Sequence, residues 1–160
     1  MTLLAGNRVR ASDANTLDTR ITAEELSRYV EITSNPTGVT SATLADISGL
    51  SLSASLTSGR SYLVIFKCRG VQTTSGTTDV SQIAITAAGT VIDDGFWITS
   101  GGTSARWKPV LWARYVAAAT GSVTFTVQQA RVAGGAGTTT IGASATSPAS
   151  LWVVAAGIPT

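Results

Sequence analysis

Alternation of apolar and hydroxylated residues with a period of two is the feature that most constrains the fold of this chain. In residues 50–56, Leu, Leu, Ala and Leu alternate with three serines. In residues 123–128, Val, Phe and Val alternate with Thr, Thr and Gln. Successive side chains of a β-strand point to opposite faces, so this spacing predicts strands with one buried and one wet face.

Further strands follow at a spacing of about ten residues, with Gly-rich turns between them. The run from Tyr62 to Phe66 is apolar on both faces and therefore predicts a central strand. The other predicted strands cover residues 81–87, 90–92, 96–99, 110–116, 122–132, 138–141 and 151–155. Ser and Thr make up about a quarter of the chain and charged residues only 12%. These features predict an all-β fold, an antiparallel β-sandwich or barrel.

Residues 1–34 differ from the rest, because five of the nine acidic residues lie among the first 31. Ser12 or Asp13 is a suitable N-cap, and Thr22 to Glu25 forms a capping box that restarts a helix. Apolar residues at helical spacing form one stripe: Ala14, Leu17, Ile21, Leu26 and Tyr29. A helix of fewer than about 20 residues is marginal alone. This one must pack on its own β-domain, on identical helices or on a larger assembly.

The charge and the apolar runs exclude several classes of partner. The net charge is only +2 and the basic residues are scattered, so we expect no nucleic-acid binding. No apolar run approaches the ~20 residues of a membrane span, and no secretory signal is recognisable. We therefore expect a soluble protein made in a cytoplasm. Cys68 is the only cysteine, and its strand-like flanks predict a small buried hydrophobe.

The absence of histidine argues most strongly against catalysis. Histidine is the commonest general base and a leading metal ligand, so the common triads and most zinc sites are excluded. Asp93 and Asp94, with Asp79 upstream, are the remaining candidates for glycoside hydrolysis or calcium binding. Asp93 to Gly95, between two apolar runs, is better explained as a hairpin turn. We predict no enzyme activity, no cofactor and no metal.

The four tryptophans divide by their surroundings. Trp112 and Trp152 lie in apolar runs and are predicted to be core or subunit-interface residues. Trp107 lies between two basic residues beside a Gly-rich loop, and with Trp97 it is a candidate ligand contact. Aromatic rings of this kind can stack on the apolar faces of sugars.

Two parts of the sequence together resemble a known family. The opening residues 4–17, LAGNRVRASDANTL, resemble the start of many small tailed-bacteriophage virion proteins, where a short N-terminal segment precedes an exposed β-domain. The remainder, with YLVIF at 62–66, VTFTVQ at 123–128 and LWVV at 151–154, resembles the jelly-roll tips of phage fibres. Those tips are similar to the tumour-necrosis-factor and complement globular-head folds, which assemble as trimers.

The resemblance implies a jelly roll over residues 35–160 and an anchoring arm over residues 1–34. It implies a homotrimeric surface decoration or short spike on a phage head or tail, located in the virion. Trp112 and Tyr115 would line the trimer axis, and outward loops would be available to a host glycan. The arm would bind capsid or tail proteins through Arg8, Arg10, Leu17, Ile21 and Leu26.

Two other functions stay open at this point. A standalone carbohydrate-binding module would place Trp97 and Trp107 on one exposed face and leave the arm dispensable. A small hydrolase would depend on Asp93 or Asp94.

Overall fold

The computed structural model describes residues 28–74, 78–99, 108–135 and 137–156. Ten β-strands are present in these ranges. Their bounds are β1 Arg28–Ile32, β2 Ala45–Leu56, β3 Ser61–Lys67, β4 Gly70–Thr73, β5 Asp79–Ala87, β6 Thr90–Thr99, β7 Val110–Val116, β8 Gly121–Gly134, β9 Thr139–Gly142 and β10 Ala149–Ala155.

Eight strands form two four-stranded antiparallel sheets that pack face to face. The first sheet has the order β1-β10-β3-β7 and the second has the order β2-β8-β5-β6. The short strands β4 and β9 form a separate antiparallel pair. The predicted all-β, antiparallel sandwich is thereby confirmed.

The period-two alternation decides which side chains enter the core. Leu50, Ala54 and Leu56 are buried on β2, whereas the serines between them are exposed. Phe125 and Val127 are fully buried on β8. Strand β3 pairs with both β10 and β7, which confirms the predicted central strand. Burial of these apolar faces between the sheets supplies the main favourable term in folding.

The hairpin turn predicted at Asp93 to Gly95 is wrong, because these residues continue strand β6. The β5–β6 hairpin turns earlier, at Ala88 and Gly89, which both have positive φ angles of 48° and 81°. Positive φ at both central residues is the geometry of a tight hairpin turn whose twist matches that of the strands. The two strands predicted at residues 90–92 and 96–99 are therefore one.

The start of the sandwich also differs from the prediction. Residues 28–32 form β1, which pairs with β10, so the helix predicted through Tyr29 is wrong at that residue. The predicted arm, residues 1–34, thus overlaps the sandwich by one strand. The helices predicted before Arg28, with Arg8, Arg10, Leu17, Ile21 and Leu26, lie outside the described residues.

A buried polar cluster fixes one end of the second sheet. Asp79 is fully buried, accepts a hydrogen bond from the Thr73 hydroxyl, and has Arg131 Nη1 3.9 Å from Oδ1. The Arg131 guanidinium also donates to the Thr40 carbonyl oxygen at 3.1 Å. Beside them the Gln129 amide donates to Ser81 Oγ at 2.8 Å. Pairing of this kind is required for a buried carboxylate, which is costly without partners.

Candidate functional site

An apolar row crosses the outer face of the first sheet from edge to edge. It consists of Tyr29, Trp152, Ile65 and Trp112, which are direct cross-strand neighbours on β1, β10, β3 and β7. The rings of Tyr29 and Trp152 stack with centroids 4.5 Å apart and an interplanar angle of 16°. We call these four residues the apolar row.

The apolar row ends in two exposed aromatic side chains. Trp112 is 66% exposed and Tyr29 is 54% exposed. Val110 and Val116 share the outer face of β7 and are also exposed. Thus four of the seven exposed large hydrophobic side chains in the described ranges lie on this one face. Such a concentration of exposed apolar side chains on one face is typical of an interaction surface.

The two predicted subunit-interface residues do not share this face. Trp112 points outward on β7, whereas Tyr115 is half-buried and packs against the core. The Tyr115 ring meets Phe125 edge-on, with centroids 5.3 Å apart. Their spacing of three residues puts them on opposite sides of a strand. Of the two, only Trp112 lies on the exposed sheet face.

Of the two predicted ligand contacts, only Trp97 lies within the described residues. Trp97 is half-buried against the core, and its indole lies over Gly95 of the same strand. A ring that covers a glycine in this way fills the gap left by the missing side chain. Trp107 lies outside the described residues.

The two adjacent carboxylates of β6 serve different contacts. Asp93 Oδ2 accepts the backbone N–H of Trp112 at 3.0 Å, so it links β6 of one sheet to β7 of the other. Asp94 Oδ2 accepts a hydrogen bond from the Gln82 side-chain amide at 2.8 Å on the outer face of the second sheet. Pointing apart, they do not form the paired carboxylates of a glycosidase. No group of three or more His, Cys, Asp or Glu side chains among the described residues could hold a metal ion.

An exposed phenylalanine that the sequence analysis did not single out lies beside the Asp94–Gln82 pair. Phe96 is 60% exposed on the outer face of β6 and is the direct neighbour of Gln82 on β5. Ile98, two residues further on the same strand, is 64% exposed on this face, which also carries a hydrogen bond of 2.7 Å from the Gln128 amide to Asp46. The only feature of the sequence that pointed to an exposed Phe96 was the alternation through residues 96–99, which predicted a strand there.

A cavity of about 270 Å³ opens at one end of the sandwich, between the edge strands β1 and β2. Arg28 and Arg60 both line it. Arg28 is the cross-strand partner of Val153, so it lies on the inner side of β1. The guanidinium groups of Arg28 and Arg60 favour an anion as the ligand.

Cys68 is buried, as the sequence predicted, and does not belong to any of these surfaces. Its thiol donates a hydrogen bond to the Gly70 carbonyl oxygen at 3.3 Å. Burial raises the pKa of the Cys68 thiol from 9.0 to about 12. The thiolate is the reactive form, so this side chain is inert at neutral pH.

The Cys68 thiol is expected to make stability depend on pH in the alkaline range. Its folded pKa of about 12 exceeds the ordinary 9.0, so the unfolded chain releases the proton first as pH rises. The contribution is therefore complete below pH 9 and declines between pH 9 and about 12. Urea unfolding of the wild type should lose stability over this window faster than the Cys68→Ala variant. Parallel slopes for the two proteins would contradict the assignment.

Comparisons with known proteins show structural similarity only. No protein-family model and no curated protein matches the chain. Among solved structures, the chain is similar to the C-terminal domain of EclA, a sugar-binding protein, at 16% identity and a TM-score of 0.41, covering 74% of this chain and 76% of that one. It is also similar to the CBM36-1 domain of a multidomain xylanase from the hindgut metagenome of Trinervitermes trinervoides. That match has 14% identity and a TM-score of 0.36, and covers 83% of this chain and 100% of that one.

Within the ranges that the structure describes, no helix has the length and apolar character needed to cross a bilayer.

Proposed function

We propose that this chain is a non-enzymatic structural module of a phage virion, a jelly roll that assembles as a homotrimer. Apart from the β5–β6 hairpin, consecutive strands of the two large sheets alternate between the sheets, which supports the jelly-roll assignment. The virion setting is supported by the resemblance of residues 4–17, with the arm as the part that binds capsid or tail proteins. Electron microscopy of an intact particle would locate the polypeptide on head or tail.

The apolar row carries the assembly proposal. It spans all four strands of one sheet and is flanked by charged side chains, Lys67 and Glu31 on one side and Arg114 on the other. An apolar centre with a polar rim is the arrangement found in stable protein interfaces. Trp and Tyr, which end the row, are also the residue types that most often dominate interface energy. The resemblance to folds that assemble as trimers favours other copies of this chain as the partner that covers the apolar row.

Size-exclusion chromatography with light scattering tests the assembly. The wild type should have three times the chain mass of 16.3 kDa. The Trp112→Ser variant should shift to the single-chain mass, because it removes an exposed aromatic anchor without touching the core. Its backbone bond to Asp93 is kept, so the fold should survive, and circular dichroism checks this.

The matched control is Phe96→Ser, since Phe96 is similarly exposed but lies on the outer face of the other sheet. This variant should remain trimeric. A wild type that is monomeric at all concentrations would refute the proposal. Equal dissociation of both variants would also refute it, because the apolar row would then have no special part.

Carbohydrate binding is the second candidate function, and Phe96 is the observation that favours it. An exposed ring beside a carboxylate and a side-chain amide can stack on the apolar face of a sugar while Asp94 and Gln82 bind its hydroxyls. A glycan array distinguishes the two candidates with the same variants. Glycan retention that is lost in Phe96→Ser and kept in Trp112→Ser would support a carbohydrate-binding module. The absence of retention by the wild type would remove this candidate.

A further inference from the structure

The cavity between β1 and β2 belongs to neither surface used by the proposed function. Its two arginines come from distant parts of the chain, Arg28 from the start of β1 and Arg60 from the turn between β2 and β3. The Arg60 backbone is held on both sides. Its N–H donates to the Thr57 carbonyl oxygen at 3.1 Å and its carbonyl oxygen accepts the Ala117 N–H at 3.0 Å. The position of this guanidinium-bearing residue is thus fixed by the fold.

The walls of the cavity carry hydroxyl groups. Ser55, Thr57 and Thr120 line it, and the phenol of Tyr62 lies beside them. The Tyr62 oxygen accepts the Thr57 N–H at 2.9 Å, and Thr120 Oγ1 accepts the Ser58 N–H at 3.0 Å. A hydroxyl that accepts in this way can still donate its own proton. The walls therefore offer donors and acceptors to a polyhydroxylated ligand.

Apolar side chains complete the lining. Leu56 and Val153 are almost fully buried, and Ala54 and Ala155 lie next to them. They give the cavity a small apolar surface. A volume of about 270 Å³ is at the small end of ligand pockets and suits a single ring.

We propose that this cavity binds a sugar acid, such as a hexuronate residue of an acidic polysaccharide. The two guanidinium groups pair with the carboxylate, since planar N–H donors match carboxylate geometry. The wall hydroxyls bind the ring hydroxyls, and the apolar lining contacts the C–H face of the sugar. This site is independent of the apolar row, so binding is expected whether or not the chain assembles.

Isothermal titration calorimetry of the full chain with sodium galacturonate tests the proposal. Binding is expected with galacturonate and not with galactose, which has the same ring without the carboxylate. Arg60→Gln and Arg28→Gln should each weaken binding by about tenfold or more, as loss of a charge-assisted bond implies. Thermal unfolding and light scattering of each variant show whether its fold and assembly are intact.

The matched control is Arg69→Gln, because Arg69 is exposed at the opposite end of β3 and does not line the cavity. It should bind galacturonate as the wild type does. Equal affinity for galactose, or for inorganic sulfate, would overturn the assignment to a sugar acid. So would undiminished binding by both cavity variants when their fold is intact, or no heat of binding for the wild type.

Discussion

Replacement of Gly134 by alanine is expected to lower the free energy of unfolding by about 3–4 kcal/mol, the sum of backbone strain and overpacking. Gly134 has a φ angle of +116°, which side-chain-bearing residues rarely adopt. A Cβ there would lie 2.3 Å from the Thr78 carbonyl oxygen and 2.5 Å from the Asp79 Cα. Both atoms are backbone, so the clash cannot be relieved by rotating a side chain. The added Cβ would also displace the Asp79 carboxylate, which pairs with Arg131.

Gly89→Ala separates the two causes of this loss. Gly89 also has a positive φ of 81°, but no atom lies within 4 Å of its would-be Cβ. Only the backbone strain remains, and the expected loss is about 1 kcal/mol. Urea unfolding followed by tryptophan fluorescence measures both variants. Similar losses at the two positions would show that the contact with residues 78 and 79 is not tight.

Phe125→Ala is expected to cost about 3–5 kcal/mol, the range for a large buried aromatic side chain. Phe125 is fully buried on β8, a strand that pairs with β2 and β5 on either side. Its truncation leaves a cavity between the sheets and removes the edge-on contact with Tyr115. At a loss of this size a domain of ordinary stability is close to unfolding at room temperature.

Phe96→Ala is the matched control for this substitution. Both phenylalanines lie on strands, but Phe96 is 60% exposed, so its truncation should change stability by less than about 1 kcal/mol. Chemical unfolding of the two variants at the same protein concentration gives the comparison. A large loss for Phe96→Ala would show that its ring is buried in the assembled protein, which would count against its use as the neutral control for Trp112→Ser.

The strands and the core were predictable because they depend on local alternation. In residues 50–56 and 123–128 the sequence period equals the side-chain period of a strand, so the buried set follows directly. The same parity explains Trp112 and Tyr115. Three residues apart on one strand they take opposite faces, so of the two only Trp112 lies on the exposed outer face. Counting positions along the predicted strand would have separated them.

The region of Asp93 to Gly95 could not be predicted, because long-range contacts decide it. Asp and Gly together favour a turn when only neighbours in sequence are considered. In the folded chain Asp93 to Gly95 pair with residues 83–85 of β5, and Asp93 binds an N–H from a strand of the other sheet. The bond to the other sheet has no signature in the local sequence.

The arginine-lined cavity likewise could not be predicted from the sequence. Arg28 and Arg60 are separated by strand β2, and Arg28 was placed in a predicted helix. Their approach depends on β1 pairing with β10 at the edge of the first sheet. A pairing between the first and the last strand of the sandwich has no signal in the local sequence, since strand partners are decided by tertiary packing.

The bond from Asp93 to the Trp112 amide has a consequence for how this molecule can polymerise. Strand β7 is the outermost strand of its sheet, and an unpaired outer strand is a template for another chain to extend the sheet without limit. A charged acceptor from the neighbouring sheet already occupies that amide, so an incoming strand must displace it. Growth into fibrils by extension of the first sheet is therefore disfavoured at its β7 edge.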